Sequence, residues 1–293
     1  VPESVITIGE KAFGYKDDKK KISKFEIFGV TGSSAEKYAI KNGFKFVDVK
    51  KVVELATPVV TVKNSATGVK VTWGAIDGAE CYKVYRKTYS TKTKKWGSWK
   101  TCGTVTTTSY VDTKAKSGTK YVYTVKALNG DVKSSVKSSS SILFISQPTV
   151  KIANASTGVK VSWNKITGAT GYKVYRAEYV NGKWSGWKSV KTIDKGSTVS
   201  WTDTKAKSGV KYKYTVKAVN GKTGSTYKSS SSLLYLAQPK VAVRALSNGI
   251  KVAWVQSTGA TSYKIYRSEY NAKTKKWSSW KGIKTAKSTS KSY

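Results

Sequence analysis

Few residues in this 293-residue chain could carry out catalysis. It has no His and only two Cys, which excludes Ser-His-Asp and Cys-His catalysis and every His-containing or four-Cys zinc site. Carboxylate chemistry remains, but catalytic carboxylates must converge in one cleft, and the spacing of the 16 acids does not indicate this. Asp112 and Asp203 are better explained as turn caps. We therefore predict that the chain is not an enzyme and holds no cofactor or metal.

Aromatic pairs are the best candidates for a binding site. A Trp-x-x-Trp-Lys motif occurs three times, with its tryptophans at Trp96, Trp99, Trp184, Trp187, Trp277 and Trp280. Strand residues three apart face opposite sides, so one Trp of each pair is expected to be buried and the other exposed. An exposed Trp beside a Lys could stack on a sugar ring or hold a cation. The commoner use of such a ring is to cover a tyrosine across the strand pair, here Tyr85, Tyr175 or Tyr266.

Arginines recur in register with these motifs, at Arg86, Arg176 and Arg267. They could form a ladder of anion contacts along the chain. Pairing with Glu178 or Glu269, together with stacking on tryptophan, explains them as well.

The two cysteines, Cys81 and Cys102, lie on the two arms of one predicted hairpin. Both are absent from the later copies of the repeat described below, as expected if they act together. We predict a structural disulfide, typical of an oxidising exterior, with free buried thiols as the alternative.

The elements that position these residues form a repeat of about 90 residues. Val69-Lys-Val-Thr-Trp73 recurs as segments that end at Trp163 and Trp254. Apolar residues alternate with Lys and Thr, the pattern of a half-buried antiparallel strand. Several such strands with turn residues between them predict a β-sandwich. We predict modules at 56–146, 147–237 and 238–293.

The repeated motifs resemble the fibronectin type III family. The resemblance rests on "Gly-Val-Lys-Val-Ser-Trp", "Gly-Tyr-Lys-Val-Tyr-Arg" and "Ser-Gly-Val-Lys-Tyr-Lys-Tyr-Thr-Val-Lys-Ala", and it runs from about residue 58 onward. It implies that Trp73, Trp163 and Trp254 are core residues of the second strand. It also implies that Tyr121 and Tyr212 close a corner, with their hydroxyls tied to the main chain.

Residues 1–55 carry a different pattern. "Pro-Glu-Ser-Val-Ile-Thr-Ile-Gly-Glu-Lys-Ala-Phe13" resembles one unit of the BspA-like bacterial leucine-rich repeats, which implies that Ile6, Ile8, Ala12 and Phe13 point inward. Ser33 to Glu36 form a predicted capping box for a helix that ends at Gly43, followed by a strand. This second part resembles the end of such an array. The predicted fold class is therefore mainly β, with tandem fibronectin type III-like sandwiches after a small α/β leucine-rich-repeat terminal cap.

The charge is strongly positive: 54 Lys and Arg oppose 16 acids, for a formal +38. Almost all of the basic residues are Lys, whereas base and bidentate phosphate recognition favour Arg. We predict no sequence-specific nucleic-acid binding, but salt-dependent adhesion to anionic wall polymers or acidic glycans.

The organisation predicts a piece of a longer exported protein. The sequence has no Met and no apolar stretch long enough to insert into a membrane. The third copy ends at Tyr293, which aligns with Tyr110 of the first. The last strands are either simply missing or supplied by another chain through strand exchange.

Three functions remain open from the sequence. The first is a secreted, cell-surface adhesion and spacer segment that binds a host or community surface protein or glycan. The second is a set of accessory carbohydrate-contacting modules of a larger secreted glycan-degrading enzyme. The third is polyanion or cell-wall adhesion through lysine alone.

Overall fold

The computed structural model describes residues 1–2, 4–17, 20–49 and 54–293. The chain is mainly β, and the described part contains no helix long and apolar enough to span a membrane. The first segment contains β1 (Glu26–Gly29), α1 (Ser34–Asn42) and β2 (Lys45–Asp48). Strands β1 and β2 pair in parallel, with α1 as the crossover between them.

The helix α1 packs on this small sheet through one apolar face. It buries Ala35, Tyr38 and Ala39 in a cluster with Ile27 of β1. Gly43 ends the helix in the left-handed conformation with φ of 62°, as the sequence predicts.

The start of α1 differs from the predicted capping box. The Ser33 side chain makes no capping hydrogen bond. Glu36 instead accepts a hydrogen bond of 2.6 Å from the backbone N–H of Gly32, one residue before the cap. The carboxylate therefore still satisfies a free N–H group at this end of the helix.

The first twelve or so residues do not form the inward-facing row that the resemblance implies. The side chain of Ile6 is 90% exposed, and Ala12 and Phe13 are exposed as well. Ile8 packs on the cluster around Ile27, and the ring of Phe13 meets that cluster through edge-to-face contact with Tyr38, at 6.1 Å between ring centroids. A solenoid unit buries its apolar row only against a stacked neighbour, and no second unit lies among the described residues.

The first repeat is a two-sheet sandwich. One sheet has the order β3–β4–β8. In the other sheet, β5 lies between β7 and β9. Strands β10 and β11 also pair with β9, and β6 pairs with the end of β5. The strands are β3 (Thr61–Asn64), β4 (Val69–Thr72), β5 (Cys81–Ser90), β6 (Lys95–Trp96), β7 (Lys100–Val105), β8 (Ser109–Asp112), β9 (Thr119–Asn129), β10 (Val132–Lys133) and β11 (Ile142–Phe144).

The second repeat has the same strand order. One sheet is β12–β13–β17, and in the other β14 lies between β16 and β18, with β19 and β20 paired with β18. The strands are β12 (Val150–Ala155), β13 (Gly158–Trp163), β14 (Gly171–Val180), β15 (Lys183–Trp184), β16 (Lys188–Ile193), β17 (Ser200–Asp203), β18 (Lys211–Asn220), β19 (Thr223–Gly224) and β20 (Leu233–Leu234).

The predicted core residues are confirmed in all three repeats. Trp73, Trp163 and Trp254 are buried. Each ring packs on the tyrosine nine residues later, with ring centroids 5.3 or 5.4 Å apart. Alternation along β4 places Val69 and Val71 in the same core and turns Lys70 outward.

The tyrosine corners are confirmed too. The backbone N–H of Lys116 donates a hydrogen bond of 2.8 Å to the hydroxyl of Tyr121, and Lys207 does the same to Tyr212 at 2.8 Å. Both rings are buried, so each corner is fixed by packing and by one hydrogen bond.

The third repeat has a smaller core, formed by Trp254, Tyr263 and Ile265. Its last residues continue the repeat pattern, since Tyr293 exchanges backbone hydrogen bonds of 2.8 and 2.9 Å with Val252. The strands are β21 (Val241–Leu246), β22 (Gly249–Trp254), β23 (Ser262–Arg267), β24 (Tyr270–Asn271), β25 (Lys276–Trp277) and β26 (Lys281–Lys287). Apolar residues of β21 stay exposed, and strand exchange with another chain remains a prediction.

Adjacent repeats meet at two joints of the same design. Ser117, in the corner of the first repeat, donates a hydrogen bond of 2.8 Å to the carbonyl of Thr167 in the second and accepts one of 2.9 Å from the N–H of Ser146. Gly118 and Gly168 lie in direct contact, and a Cβ on Gly168 would be 2.2 Å from the Cα of Gly118. Only residues without a side chain allow this approach.

The second joint repeats these contacts. Ser208 donates a hydrogen bond of 2.7 Å to the carbonyl of Thr258 and accepts one of 3.0 Å from the N–H of Ala237. Gly209 faces Gly259 in the same way. The end of each repeat is thus shaped to receive the start of the next.

Candidate functional site

The first tryptophan of each Trp-x-x-Trp motif is paired with a tyrosine across the hairpin. Trp96, Trp184 and Trp277 lie 5.2 or 5.3 Å, between ring centroids, from Tyr89, Tyr179 and Tyr270. The expected cross-strand pairing is therefore present, but with a different tyrosine. The sequence-based choice of Tyr85, Tyr175 and Tyr266 was wrong by four residues, because the hairpin is longer than assumed.

The expectation that one tryptophan of each pair is buried is wrong. Trp96 and Trp187 are 39% and 37% exposed, Trp99 and Trp184 are half-buried, and Trp277 and Trp280 are 69% and 72% exposed. In the first repeat, β6 ends at the first tryptophan and β7 begins after the second. The motif is therefore not one strand, and two-residue alternation does not apply across it.

Lysines of the same chain cover several of these aromatic faces. The Nζ atom of Lys87 lies 4.7 Å from the ring centroid of Trp99, and that of Lys213 lies 4.4 Å from Trp184. These are cation–π contacts within the protein. They occupy ring faces that would otherwise be open to a ligand.

Trp187 differs from its counterpart Trp99. Its ring meets the edge of Tyr227, with centroids 6.5 Å apart and planes at 73°. Tyr227 also stacks on Tyr175, at 6.5 Å and 24°. We call Tyr175, Trp187 and Tyr227 the aromatic platform of the second repeat. Trp187 belongs to the predicted site residues, whereas Tyr227 lies outside every repeated motif and is not predicted from the sequence.

Two of the three arginines are committed to a buried network. In the first repeat, the guanidinium of Arg86 pairs with Asp112 and lies over the ring of Tyr121, 5.3 Å from its centroid. Asp112 also accepts a hydrogen bond of 2.8 Å from the hydroxyl of Tyr123 and one of 3.1 Å from the N–H of Lys114. The predicted turn cap is confirmed, and the same carboxylate holds a buried Arg–Asp–Tyr network.

The second repeat has the same network with one more acid. Arg176 pairs with Asp203 at 2.7 Å and with Glu178 at 2.6 Å. Tyr214 donates a hydrogen bond of 2.9 Å to Asp203. The predicted pairing with Glu178 is therefore confirmed.

The electrostatics of the networks follow from burial beside a carboxylate. Burial raises the pKa of Tyr123 and of Tyr214 well above the usual range, and the adjacent Asp charge and hydrogen bond raise it further. For Arg86, burial acts to lower the pKa, but the hydrogen bond and charge of Asp112 outweigh it, so that the pKa is raised. Tyr123 and Tyr214 therefore stay neutral, and Arg86 stays charged, at neutral pH.

The proposed ladder of anion contacts does not form. Arg86 and Arg176 are satisfied inside their own repeats by buried aspartates. Arg267 is more exposed and pairs with Glu269 at 2.6 Å. The arginines stack on corner tyrosines rather than on tryptophans in the first two repeats.

The predicted disulfide is wrong. Cys81 and Cys102 are free thiols. Tyr82 pairs with Val105, which places Thr106 opposite Cys81, so Cys102 lies four residues, or about 13 Å, along the strand from that position. That separation exceeds the span of a disulfide. Burial, with a contribution from Asp112, raises the pKa of Cys102 to about 11.

Serines with a structural role were missed by the sequence analysis. In the second repeat, the hydroxyls of Ser225 and Ser230 accept hydrogen bonds of 3.0 Å from the backbone N–H groups of Ala218 and Tyr214 in β18. Ser134 and Ser139 do the same for β9 in the first repeat. The serine-rich segment therefore completes the sheet edge through its side chains. Its five-residue spacing, repeated in both copies, is the signal that could have revealed it.

The described residues include no group of three or more His, Cys, Asp or Glu side chains that could hold a metal ion. The two buried aspartates are each paired with Arg and Tyr and face the interior. What the surface offers is exposed aromatic rings set among lysines.

Residues 58–142 match a family model described as Fibronectin type III domain SaeA third domain. This range is the first repeat, and the second shares its strand order, core tryptophan and tyrosine corner. The first repeat is therefore similar to a fibronectin type III domain, and a second sandwich of the same strand order follows it. No curated protein matches the chain.

Three solved structures of chicken proteins are among those that match the chain. The FN1–FN3 domains of CNTN1 share 15% identity, with a TM-score of 0.28, over 82% of this chain and 87% of that one. A two-module fibronectin type III segment of tenascin shares 20%, with a TM-score of 0.34, over 60% and 98%. The interferon gamma receptor alpha chain shares 12%, with a TM-score of 0.36, over 61% and 97%.

Proposed function

We propose that this chain is a non-catalytic adhesion and spacer segment of an extracellular bacterial surface protein. The observation that supports it best is the pair of matching joints, at Ser117 with Thr167 and at Ser208 with Thr258. A joint with hydrogen bonds and glycine-to-glycine contact resists bending more than a free linker does. Modules held in this way keep a fixed spacing between whatever lies at the two ends.

Residues 1–55 are proposed to close a leucine-rich repeat array. Support comes from the parallel pairing of β1 and β2 across α1, since a strand–helix–strand unit with parallel strands is a building block of such solenoids. The exposed Ile6 and Phe13 fit a unit that packs against a neighbour.

The proposed partner is a surface protein or glycan of a host or a microbial community, or an anionic wall polymer. The formal charge of +38 supports an anionic partner, because a field of that sign concentrates polyanions near the surface. The exposed tryptophans support contact with sugar rings. An accessory carbohydrate-contacting role beside a secreted glycan-degrading enzyme would use the same surfaces.

Pulsed dipolar spectroscopy on the full chain tests the spacer function. Spin labels are attached at Lys92→Cys and Lys273→Cys, on exposed hairpin tips of the first and third repeats, in a Cys81→Ser, Cys102→Ser background. Rigid joints predict a single narrow distance distribution. A control pair at positions 92 and 133, within the first repeat, gives the width due to the labels alone. A distribution several times broader than the control would contradict the spacer function.

A further inference from the structure

A groove lies at the contact between the first and second repeats. It has a volume of about 600 Å³. Lys63 and Asn64 of the first repeat form one wall, and Lys217, Thr226 and Tyr227 of the second form the other. The groove thus exists only when the two repeats are joined.

Polar contacts hold the two walls in place. The side-chain amide of Asn64 donates a hydrogen bond of 3.2 Å to the carbonyl of Leu143 in its own repeat and one of 3.3 Å to Gly224 in the next. Thr226 donates a hydrogen bond of 3.0 Å to the side chain of Gln147, close to the boundary between the repeats. A groove with fixed walls loses little conformational entropy when it binds a ligand.

The groove is positively charged. Its lining contains Lys63 and Lys217 and no carboxylate. Neither lysine forms an ion pair with any residue that the structure describes. Both ammonium groups are therefore available to an anion.

An aromatic surface continues from the groove. Tyr227 lines it and is 50% exposed, and its ring is the centre of the aromatic platform with Tyr175 and Trp187. The planar face of a tyrosine or tryptophan packs on the C–H face of a pyranose ring. Aromatic rings beside unpaired ammonium groups suit a ligand that has both sugar rings and acid groups.

The first repeat has Lys126 in the place of Lys217 but differs at two other positions of the groove. Val136 stands where the second repeat has Tyr227, and Lys133 stands where it has Gly224. A Cβ at Gly224 would lie 2.6 Å from Cε of Lys217, so a side chain at this position would require the Lys217 side chain to move. The second repeat is thus distinguished from the first by the residues that build the groove.

We propose that this groove binds an acidic polysaccharide, with Lys63 and Lys217 meeting its acid groups and Tyr227 packing on a sugar ring. The inference rests on the proposed interaction function and assigns that function a site. A chain of several sugars would extend from the groove onto Trp187.

Calorimetry with hyaluronan hexasaccharide, which carries carboxylates on alternate sugars, tests the proposal. Tyr227→Val, which installs the residue of the first repeat, is expected to weaken binding about five- to tenfold. Lys63→Gln with Lys217→Gln is expected to weaken it about tenfold and to reduce the salt dependence by about two ions. The control Lys195→Gln with Lys240→Gln removes the same charge from exposed sites outside the groove and is expected to change affinity less than about twofold. Thermal melts confirm that each variant folds.

Two further ligands separate sugar recognition from charge. Neutral chitohexaose is expected to bind at least about tenfold more weakly than the acidic hexamer. Linear hexaphosphate, which has charge but no rings, is expected to be insensitive to Tyr227→Val. A loss of hexaphosphate affinity in Tyr227→Val as large as the loss of hexasaccharide affinity, or no hexasaccharide binding, would overturn the proposal.

The groove proposal and the spacer function would be contradicted by different results. Hexasaccharide affinity that is unchanged in both groove variants would overturn the groove and leave an interaction function at another surface. A broad distance distribution in the spin-label experiment would contradict the spacer function, whatever the groove binds.

Discussion

Asp112 and Asp203 occupy equivalent positions but are expected to contribute different amounts to the stability of their repeats. Each pairs with a buried arginine and accepts a hydrogen bond from a tyrosine. Arg176 has a second acid, Glu178, whereas the equivalent position in the first repeat is Thr88. Loss of the aspartate therefore leaves an unpaired buried charge in the first repeat only.

Asp112→Ala is expected to destabilise the first repeat by about 3–5 kcal/mol, because a buried arginine loses its carboxylate. Asp203→Ala is expected to cost the second repeat about 1 kcal/mol less, since Glu178 still neutralises Arg176. Native-state hydrogen exchange with peptide-resolved mass spectrometry on the full chain measures both repeats at once. An equal or larger loss in Asp203→Ala would show that Glu178 does not compensate.

Tyr123 makes the free energy of unfolding of the first repeat depend on pH in the alkaline range. Its folded-state pKa is raised above the unfolded value near 10 by burial beside Asp112. Above pH 10 the unfolded chain loses this proton while the folded chain keeps it, so stability falls as pH rises. The slope approaches about 1.4 kcal/mol per pH unit for this one tyrosine.

Tyr123→Phe is expected to be less stable than wild type at pH 8 by about 1 kcal/mol, through loss of the hydrogen bond to Asp112. By pH 11 the difference is expected to disappear or change sign, because Phe has no proton to lose. Urea-dependent thiol labelling reports on the first repeat alone, which contains both cysteines. A difference that stays constant with pH would contradict the raised pKa.

At the scale of strands, alternation predicted the sandwiches well and failed where a hairpin departs from regular geometry. The core positions of β4 and β13 follow directly from apolar residues at every second place. The register of β5 and β7 shifts by one residue between Val84 and Tyr85, and the residue pattern does not predict this shift. The predicted disulfide is wrong because the register places Cys102 four residues from the position opposite Cys81. The predicted burial of one tryptophan per pair is wrong because the chain leaves the strand between Trp96 and Lys100.

The serine-rich edge supports a prediction at this scale. Ser225→Ala removes the buried acceptor of the Ala218 N–H and is expected to cost about 1–3 kcal/mol. Exchange of the Ala218 amide should accelerate more than that of other β18 amides. Ser231→Ala, at an exposed position in the same segment, is the control and should change neither quantity. Equal effects of the two variants would mean that the segment acts through its backbone.

At the scale of the whole molecule, the repeat was predictable but its joints and groove were not. Recurrence of Trp73 every 90 or so residues shows that modules follow one another, but it does not show how they meet. Joint contacts pair Ser117 with Thr167, residues 50 positions apart in different sandwiches. Ser-Gly and Thr-Gly are common turn sequences, so nothing in their composition distinguishes a joint from a loop. Tyr227 could not be predicted from the sequence either, because its place in the groove depends on the neighbouring repeat.

The joints are expected to control the angle between repeats without contributing much to the melting temperature of each repeat. Ser117→Ala with Ser208→Ala removes the hydroxyl that bridges repeats at each joint but leaves the buried cores intact. With labels at positions 92 and 273, the distance distribution is expected to broaden at least about twofold, while melting temperatures change by no more than about 2 °C, because surface substitutions outside the core cost little. Ser138→Ala, at an exposed site, should leave the distribution unchanged. If the double variant keeps the narrow distribution, the glycine contacts alone set the angle between repeats. Gly168→Ala is then expected to change that angle, because its Cβ has no space beside Gly118.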